Sequence, residues 1–335
     1  MQSQTPSHGI GPRCALGLSV LPEGVSPTAA TADVVLSALL AQGATVLHVP
    51  AVPIVGLIES LQSLRSQTKP QIDVVSIDAE LGAIALGRPH AASAKLCSLD
   101  KEEALTAVAV AKAAMQTAVA LSTRMVRLRL GEIAGLDRLW RKVRAHFLRG
   151  ALADDETPNE ELLRARSALL PRHLDAVRRS LEQLANVAVQ HGLTLLLGFP
   201  RRATDLPHPI ELRLLLEEFD GAPLKPSLDL PAAHLASTMR LVSLSESVRA
   251  FAPGPLHLVG DACGPIGALP PGSGEVDVAA VCRALPKDST LTFLPWIGLT
   301  AKEAMAGLHA VSRLHPAAQH AEKSWPSSPV PRPAE

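Results

Sequence analysis

Several carboxylate and imidazole side chains lie at or near the ends of short apolar runs that have the length of buried strands. Carboxylates and imidazoles are the groups that bind divalent metal ions and transfer protons, so residues at such positions are candidates for catalysis. One apolar run is followed by Asp78 and Glu80, for which the simpler interpretation is a pair of solvated loop carboxylates. The candidates from the other runs are, in chain order, His48, Asp229, His257 and Asp261.

Four arginines form a second group with chemical potential. Arg127 and Arg129 alternate along one apolar run and therefore share one face of a strand, while Arg201 and Arg202 follow the next run. Because a guanidinium binds phosphate and carboxylate groups through paired hydrogen bonds, the four arginines would suit an anionic substrate. If the first two point into a core, Asp229 and Asp261 are their expected partners. In the alternative, they face a surrounding helical layer and the other two are solvated.

Apolar runs of strand length alternate with longer segments of helical periodicity along the chain. This alternation indicates parallel strands joined by helices, and eight repeats predict one α/β domain, a (β/α)8 TIM barrel at residues 13–314. No Asn-Gly or Asp-Gly pair between strands signals an antiparallel hairpin. The predicted strands are 15–20, 45–49, 71–77, 125–130, 193–197, 224–228, 256–259 and 291–294. The predicted helices are 26–42, 54–66, 100–121, 172–191, 209–219, 238–251, 277–285 and 300–314.

Three segments exceed what a minimal barrel needs. Residues 132–170 carry a basic amphipathic stretch and predict a helical insertion after the fourth strand. Such an insertion forms either a lid or substrate wall at the functional face, or a solvated helical excursion. The polar residues 1–12 and the Pro-rich residues 315–335 predict disordered ends.

The bulk composition restricts the classes of partner. Basic and acidic residues both number 32, so no net positive field favours nucleic acid. The longest apolar run, 105–121, is interrupted by Lys112 and Gln116, which predicts a buried helix and no membrane span. The four cysteines form no CxxC pair, and the N-terminus lacks the apolar stretch of a signal peptide. We therefore expect free thiols and a cytoplasmic protein.

The second half of the chain contains a series of motifs in a characteristic order. On these motifs the chain resembles the xylose isomerase-like TIM barrels, which include sugar isomerases, sugar-phosphate isomerases/epimerases and endonuclease IV-type nucleases. The motif at residues 269–277 is the most specific of them. The motifs are HGLTL at 191–195, DLPHP at 205–209, SLD at 227–229, HLVGD at 257–261 and LPPGSGEVD at 269–277.

The resemblance implies a divalent metal ion (Mn, Mg, Zn or Co) held at the C-terminal strand ends, where it polarises a sugar substrate. Only Asp229 and Asp261 match the family's ligand positions, and His257 lies one residue out of register. A catalytic metal site needs about three converging protein ligands. The other expected positions hold residues without suitable side-chain donors, namely Gly198, Ala232, Ala268 and Pro295.

Three functions follow from this comparison. The first is a pseudoenzyme, a metal-free binding or interaction protein whose ligand is small and anionic or sugar-like. The second is an active metal-dependent sugar (phosphate) isomerase/epimerase with a rebuilt site that uses the three residual ligands with His234 or His48. The third, DNA repair, requires a trinuclear metal cluster and a basic groove, and the charge balance disfavours it. The resemblance is also compatible with a homo-oligomer.

Overall fold

Eight apolar runs form parallel strands in the computed structural model, which describes residues 14–17, 32–49, 57–67, 72–153, 155–264, 266–295 and 300–317. The strands are β1 (Cys14–Gly17), β2 (Val46–Val49), β3 (Asp73–Asp78), β4 (Met125–Leu128), β5 (Thr194–Gly198), β6 (Leu224–Ser227), β7 (Leu256–Val259) and β8 (Thr290–Phe293). They lie in the order β6-β5-β4-β3-β2-β1-β8-β7, and a parallel bridge between Asp229 and Leu258 joins the two ends. The predicted (β/α)8 TIM barrel is therefore confirmed.

Helices surround the barrel and cover the outward side chains of its strands. The predicted helix 238–251 is wrong at its start, because one helix begins directly after Asp229 and a second follows Ser243. The helices are α1 (Ala32–Ala41), α2 (Leu57–Gln67), α3 (Leu81–Ala85), α4 (Lys101–Ala120), α5 (Asp137–Leu148), α6 (Thr157–His191), α7 (Pro209–Glu218), α8 (Leu230–Thr238), α9 (Leu244–Phe251), α10 (Val278–Ala284) and α11 (Ala301–Leu314).

The barrel interior changes from apolar to polar along its axis. Ala15, Val75, Leu196, Leu256 and Leu258 form an inner cluster that is separate from the core between strands and helices. Val46 and Met125 pack against the inner cluster. Side chains alternate across a strand, so the same face of β2 and β4 carries His48 and Arg127 two residues later. The C-terminal end of the barrel therefore holds polar groups above an aliphatic floor.

The insertion after β4 is helical, as predicted. It consists of α5, a 3-10 turn at Ala151–Ala153 and the first half of α6. We predicted a helix start near Pro171, but α6 continues through this residue. Two short antiparallel pairs lie outside the barrel sheet. Asp261–Cys263 and Ile266–Leu269 form a local hairpin that no Asn-Gly or Asp-Gly pair signals in the sequence, whereas Gly131–Glu132 pairs with the distant Asp205–Leu206.

Several predicted features lie at or beyond the described ranges. His315 is buried, and its Nε2 lies 2.9 Å from the carbonyl oxygen of Ser289, so the start of the predicted C-terminal tail is ordered. No helix in the described ranges is both long and apolar enough to cross a membrane. The following predicted elements or ends lie outside the described residues: 1–12, 18–20, 26–31, 54–56, 71 and 318–335.

A buried arginine of the insertion holds the loop that follows β5. Arg166 on α6 donates hydrogen bonds of 2.9 Å to the carbonyl oxygens of Ala203 and Asp205, and it forms an ion pair with Glu211. Both side chains of the pair are buried, because each is only 5% exposed. The insertion thereby fixes the loop that carries Arg201 and Arg202.

We predict that Arg166→Met lowers the free energy of unfolding by about 3–5 kcal/mol, because Glu211 is left as an uncompensated buried charge. Urea unfolding followed by circular dichroism measures the change. Arg178→Met on the same helix is the matched control, since Arg178 pairs with the partly exposed Glu218. The control should lose only about 0–1 kcal/mol. Equal losses in the two variants would contradict the anchoring role of Arg166.

Candidate functional site

A buried guanidinium lies at the centre of the C-terminal end of the barrel. The Arg127 side chain is 1% exposed, with Nη1 3.7 Å from Asp78 Oδ1 and Nη2 3.5 Å from Asp229 Oδ2. A Cβ atom at Gly198 would lie 3.0 Å from the Arg127 Cζ, Nε and Nη2 atoms. The guanidinium therefore occupies the space that a side chain at position 198 would need. The alternative, that Arg127 faces the helical layer, is wrong.

Asp229 serves the helix that follows it as well as the guanidinium. Its Oδ1 accepts a hydrogen bond of 3.2 Å from the Ala232 N–H and caps α8, while Oδ2 faces Arg127. Arg201 approaches the same oxygen from the β5 loop, with Nε at 3.9 Å. The cap explains why the aspartate lies at the strand end, and its free oxygen is directed at two cations.

His48 and Asp78 complete this group, which we refer to as the polar centre: His48, Asp78, Arg127 and Asp229. His48 Nδ1 lies 2.8 Å from Ser76 Oγ, and Nε2 lies 3.6 Å from Asp78 Oδ1. Burial lowers the pKa of His48 to about 4, and the Arg127 charge adds to the effect of burial, so His48 is neutral at neutral pH. Burial alone would raise the pKa of Asp78, but His48, Arg127 and Arg201 outweigh it and lower that pKa.

A cavity of about 260 Å³ lies beside the polar centre, between the C-terminal ends of β3, β4 and β5, helix α4 and residues 92–96. Three of the four predicted anion-binding arginines line this cavity, whereas Arg127 lies in the polar centre. Each of the three has a side chain that is about half exposed. The charged residues of the wall are Glu80, Lys95, Arg129, Glu132, Arg201, Arg202 and Asp205.

Glu80 differs from the solvated loop residue that the sequence indicated. Its side chain is only 15% exposed, and Oε1 lies 3.5 Å from Arg129 Nε. In the described structure Oε2 is buried without a hydrogen-bond partner. Burial raises the pKa of Glu80 to about 7, and the Asp78 charge adds to the rise against the opposing effect of Arg129. Sequence reasoning missed this residue because its burial depends on distant elements.

The structure places Asp261 away from the polar centre. Asp261 is fully buried, and its carboxylate accepts hydrogen bonds of 2.8–2.9 Å from four backbone N–H groups. These contacts fold the LPPGSGEVD loop around the carboxylate. The prediction that Asp261 pairs with Arg127 is therefore wrong, and Asp78 takes that place. The donors are the N–H groups of Ala262, Gly272, Gly274 and Val276.

Two of the three histidines considered as ligands, His257 and His234, also lie elsewhere. His257 is fully buried between two residues of the inner cluster along β7, so it faces the helical layer, where Nδ1 accepts a hydrogen bond of 3.3 Å from the Leu228 N–H. Burial lowers the pKa of His257 to about 4. His234 on α8 lies 3.8 Å from Glu275. Among the described residues, no three His, Cys, Asp or Glu side chains are grouped so that they could bind one metal ion.

We predict that Arg127→Met lowers the free energy of unfolding at neutral pH by about 3–5 kcal/mol, because Asp78 and Asp229 lose their buried counter-charge. In the wild type, the lowered pKa of Asp78 stabilises the fold above the ordinary Asp pKa of about 4, and this contribution is lost as the pH falls further. The difference between variant and wild type should therefore be larger at about pH 7 than at about pH 4.

Urea unfolding at the two pH values tests this prediction. Arg129→Met, two residues further along the same strand end, is the control: the Arg129 guanidinium is about half exposed, and Glu80 with its raised pKa can take up a proton, so the loss should be about 0–1 kcal/mol. A pH-independent loss in Arg127→Met would contradict the charge-based explanation.

Comparison with known proteins identifies the fold of this chain but not its activity. No family model matches the chain, and no curated protein matches it in sequence. Among solved structures, a D-tagatose 3-epimerase-like protein is 14% identical with a TM-score of 0.63, over 92% of this chain and 99% of that one. An L-ribulose 3-epimerase is 14% identical with a TM-score of 0.60, over 95% and 100% of the two chains. A xylose isomerase domain protein from Planctomyces limnophilus is 17% identical with a TM-score of 0.57, over 90% and 97%. The chain thus shares the (β/α)8 TIM-barrel fold of these three proteins.

Proposed function

We propose that the mouth of this barrel is a metal-free binding site for a small ligand with a phosphate or carboxylate group. The observation that carries the proposal is the Arg127 guanidinium over Gly198, held between Asp78 and Asp229. The chain thereby supplies its own cation at the point where the strand ends converge. A pseudoenzyme, or an enzyme that works without a metal ion, is compatible with this arrangement.

The donors of the site do not fit the divalent ion that the fold implies. Gly198 offers no side-chain ligand, and the space above it is filled by a positive charge that repels a metal cation. Asp229 uses one oxygen for the α8 cap and directs the other at Arg127 and Arg201. Asp261 is saturated by backbone N–H groups. We therefore derive no chemical step through a metal ion.

The wall of the cavity supports an anionic ligand. It carries four basic side chains against three acidic ones, and Glu80 with its pKa of about 7 is only partly ionised at neutral pH. Arg129 and Arg201 line the cavity, and their side chains are about half exposed. A volume of about 260 Å³ suits a compound of a few carbon atoms, since drug-sized ligands occupy about 300–1,000 Å³.

An active metal-dependent isomerase/epimerase is the second functional hypothesis. It requires Asp229, Asp261 and His257 to converge on one metal ion. Asp261 and His257 are directed away from Asp229, and His48 is paired with Ser76 and Asp78. These contacts disfavour a rebuilt metal site within the described residues. The experiment below distinguishes the metal-dependent enzyme from the metal-free binding site.

We expect protein purified without chelators to contain no stoichiometric Mn, Mg, Zn or Co by elemental analysis, and to bind inorganic phosphate measurably by titration calorimetry. Arg201→Met and Arg129→Met should each weaken phosphate binding about tenfold, the effect of losing one charge-assisted hydrogen bond. Arg178→Met, whose arginine pairs with Glu218 on the outer surface, should bind phosphate like the wild type.

Two results would overturn the proposal. One is a stoichiometric divalent ion that is lost in Asp229→Asn, which would support the metal-dependent enzyme. The other is phosphate binding that is absent in the wild type, or unchanged in both arginine variants, which would show that the cavity does not bind anions.

A further inference from the structure

The proposed binding site contains a carboxylate that anion binding does not need. Glu80 lines the cavity among basic residues, although a negative charge there opposes an anionic ligand. Its contact in the site is the Arg129 guanidinium, with Oε1 3.5 Å from Nε. A buried carboxylate in a charged cleft, beside a guanidinium that also lines the cleft, has the composition of an acid-base site.

We propose that Glu80 is a general base that removes a proton from the carbon next to the carbonyl group of a small α-keto acid. Arg129 and Arg201 bind the carboxylate and carbonyl oxygens of this acid. The inference rests on the proposed anion site and adds a proton-transfer activity to it.

The geometry allows one guanidinium to serve both the base and the ligand. Arg129 directs Nε at Glu80, and its side chain is about half exposed in the cavity wall, which leaves Nη1 and Nη2 to bind the anion in this proposal. Arg201 reaches the cavity from the other side, where Asp229 orients its Nε at 3.9 Å. Asp205 holds the backbone of this loop through the N–H groups of Arg201 and Arg202. The two cations and the base are thus held by ordered elements.

The charge environment suits a base that works near neutral pH. The charged groups that act on Glu80 are Asp78 at the end of β3, Arg127 and Arg129 from β4 and the residues that follow it, and Arg201 from the β5 loop. Burial together with Asp78 raises the pKa of Glu80 to about 7. A base with such a pKa is available at neutral pH and is stronger than an ordinary carboxylate.

The step balances without an oxidant or a second reactant. The C–H bond breaks, its proton goes to a Glu80 oxygen, and its electron pair forms the C=C bond of an enolate. The negative charge then lies on the former carbonyl oxygen, where the two guanidinium groups stabilise it. Return of the proton from Glu80 regenerates the keto acid. In D2O the Glu80 carboxyl exchanges this proton with the solvent before the return, so the carbon receives a deuteron.

Pyruvate in D2O is the probe, and loss of its methyl signal in the proton NMR spectrum measures the exchange. We expect the wild type to accelerate exchange above the buffer rate, with a rate that rises with pH around a midpoint near 7 as Glu80 loses its proton. Glu80→Gln should slow the protein-catalysed exchange by about 100-fold or more. Glu182→Gln on the exposed face of α6 is the control and should exchange like the wild type.

Binding measurements separate this inference from the proposed function. Titration calorimetry with pyruvate should show that Glu80→Gln binds at least as tightly as the wild type, which also demonstrates that the variant is folded. Wild-type protein that binds pyruvate without exchange, or exchange that is unchanged in Glu80→Gln, overturns the catalytic role and leaves the anion site intact. Absence of both phosphate and pyruvate binding overturns the two together.

Discussion

The buried Arg127 guanidinium between Asp78 and Asp229 is the interaction on which the mouth of this barrel depends. Removing a charge from water costs several kcal/mol, and only close opposite charges compensate for it. Two carboxylates at 3.5 and 3.7 Å provide that compensation, and Gly198 provides the space. Gly198, Arg127 and the two carboxylates therefore depend on one another. A side chain at position 198 would displace the guanidinium, and without the guanidinium the two carboxylates would repel each other.

The surrounding structure keeps these charges in place through contacts that have local causes. Asp229 caps α8 and so remains at the end of its strand. Arg166 of the insertion binds backbone carbonyls of the β5 loop, which carries a further cation to the cavity. Asp261 folds its own loop by accepting four backbone N–H groups. The insertion and the loops thus hold the charged residues of the polar centre and the cavity wall in position.

The mouth of this barrel carries a group of charges in which one arginine lies between two carboxylates. Solved structures of the same fold include sugar epimerases, and at 10–17% identity the likeness to them establishes the shared scaffold. In such a barrel, different residues provide stability and chemistry. The aliphatic floor stabilises the strands, whereas the residues at the strand ends and in the loops can differ between proteins of the same fold. In this chain, Gly198 and the Arg127 guanidinium beside it lie at the mouth, while the aliphatic cluster forms the floor.

The sequence alone determined the barrel and the edge at which the polar residues collect. Periodicity encodes strands and helices locally, and parallel strands bring their C-terminal ends to one side. Only the tertiary structure decided which side chains meet. Asp78 lies opposite Arg127 in the pairing of β3 with β4, and a register shift between β2 and β3 brings Ser76 beside His48. His257, by contrast, faces outward because it lies between two inward leucines. Strand register and side-chain burial depend on contacts between strands that are far apart in the chain. Local sequence patterns therefore do not distinguish Asp261 from Asp78 as the partner of Arg127, and only the folded chain shows that the partner is Asp78.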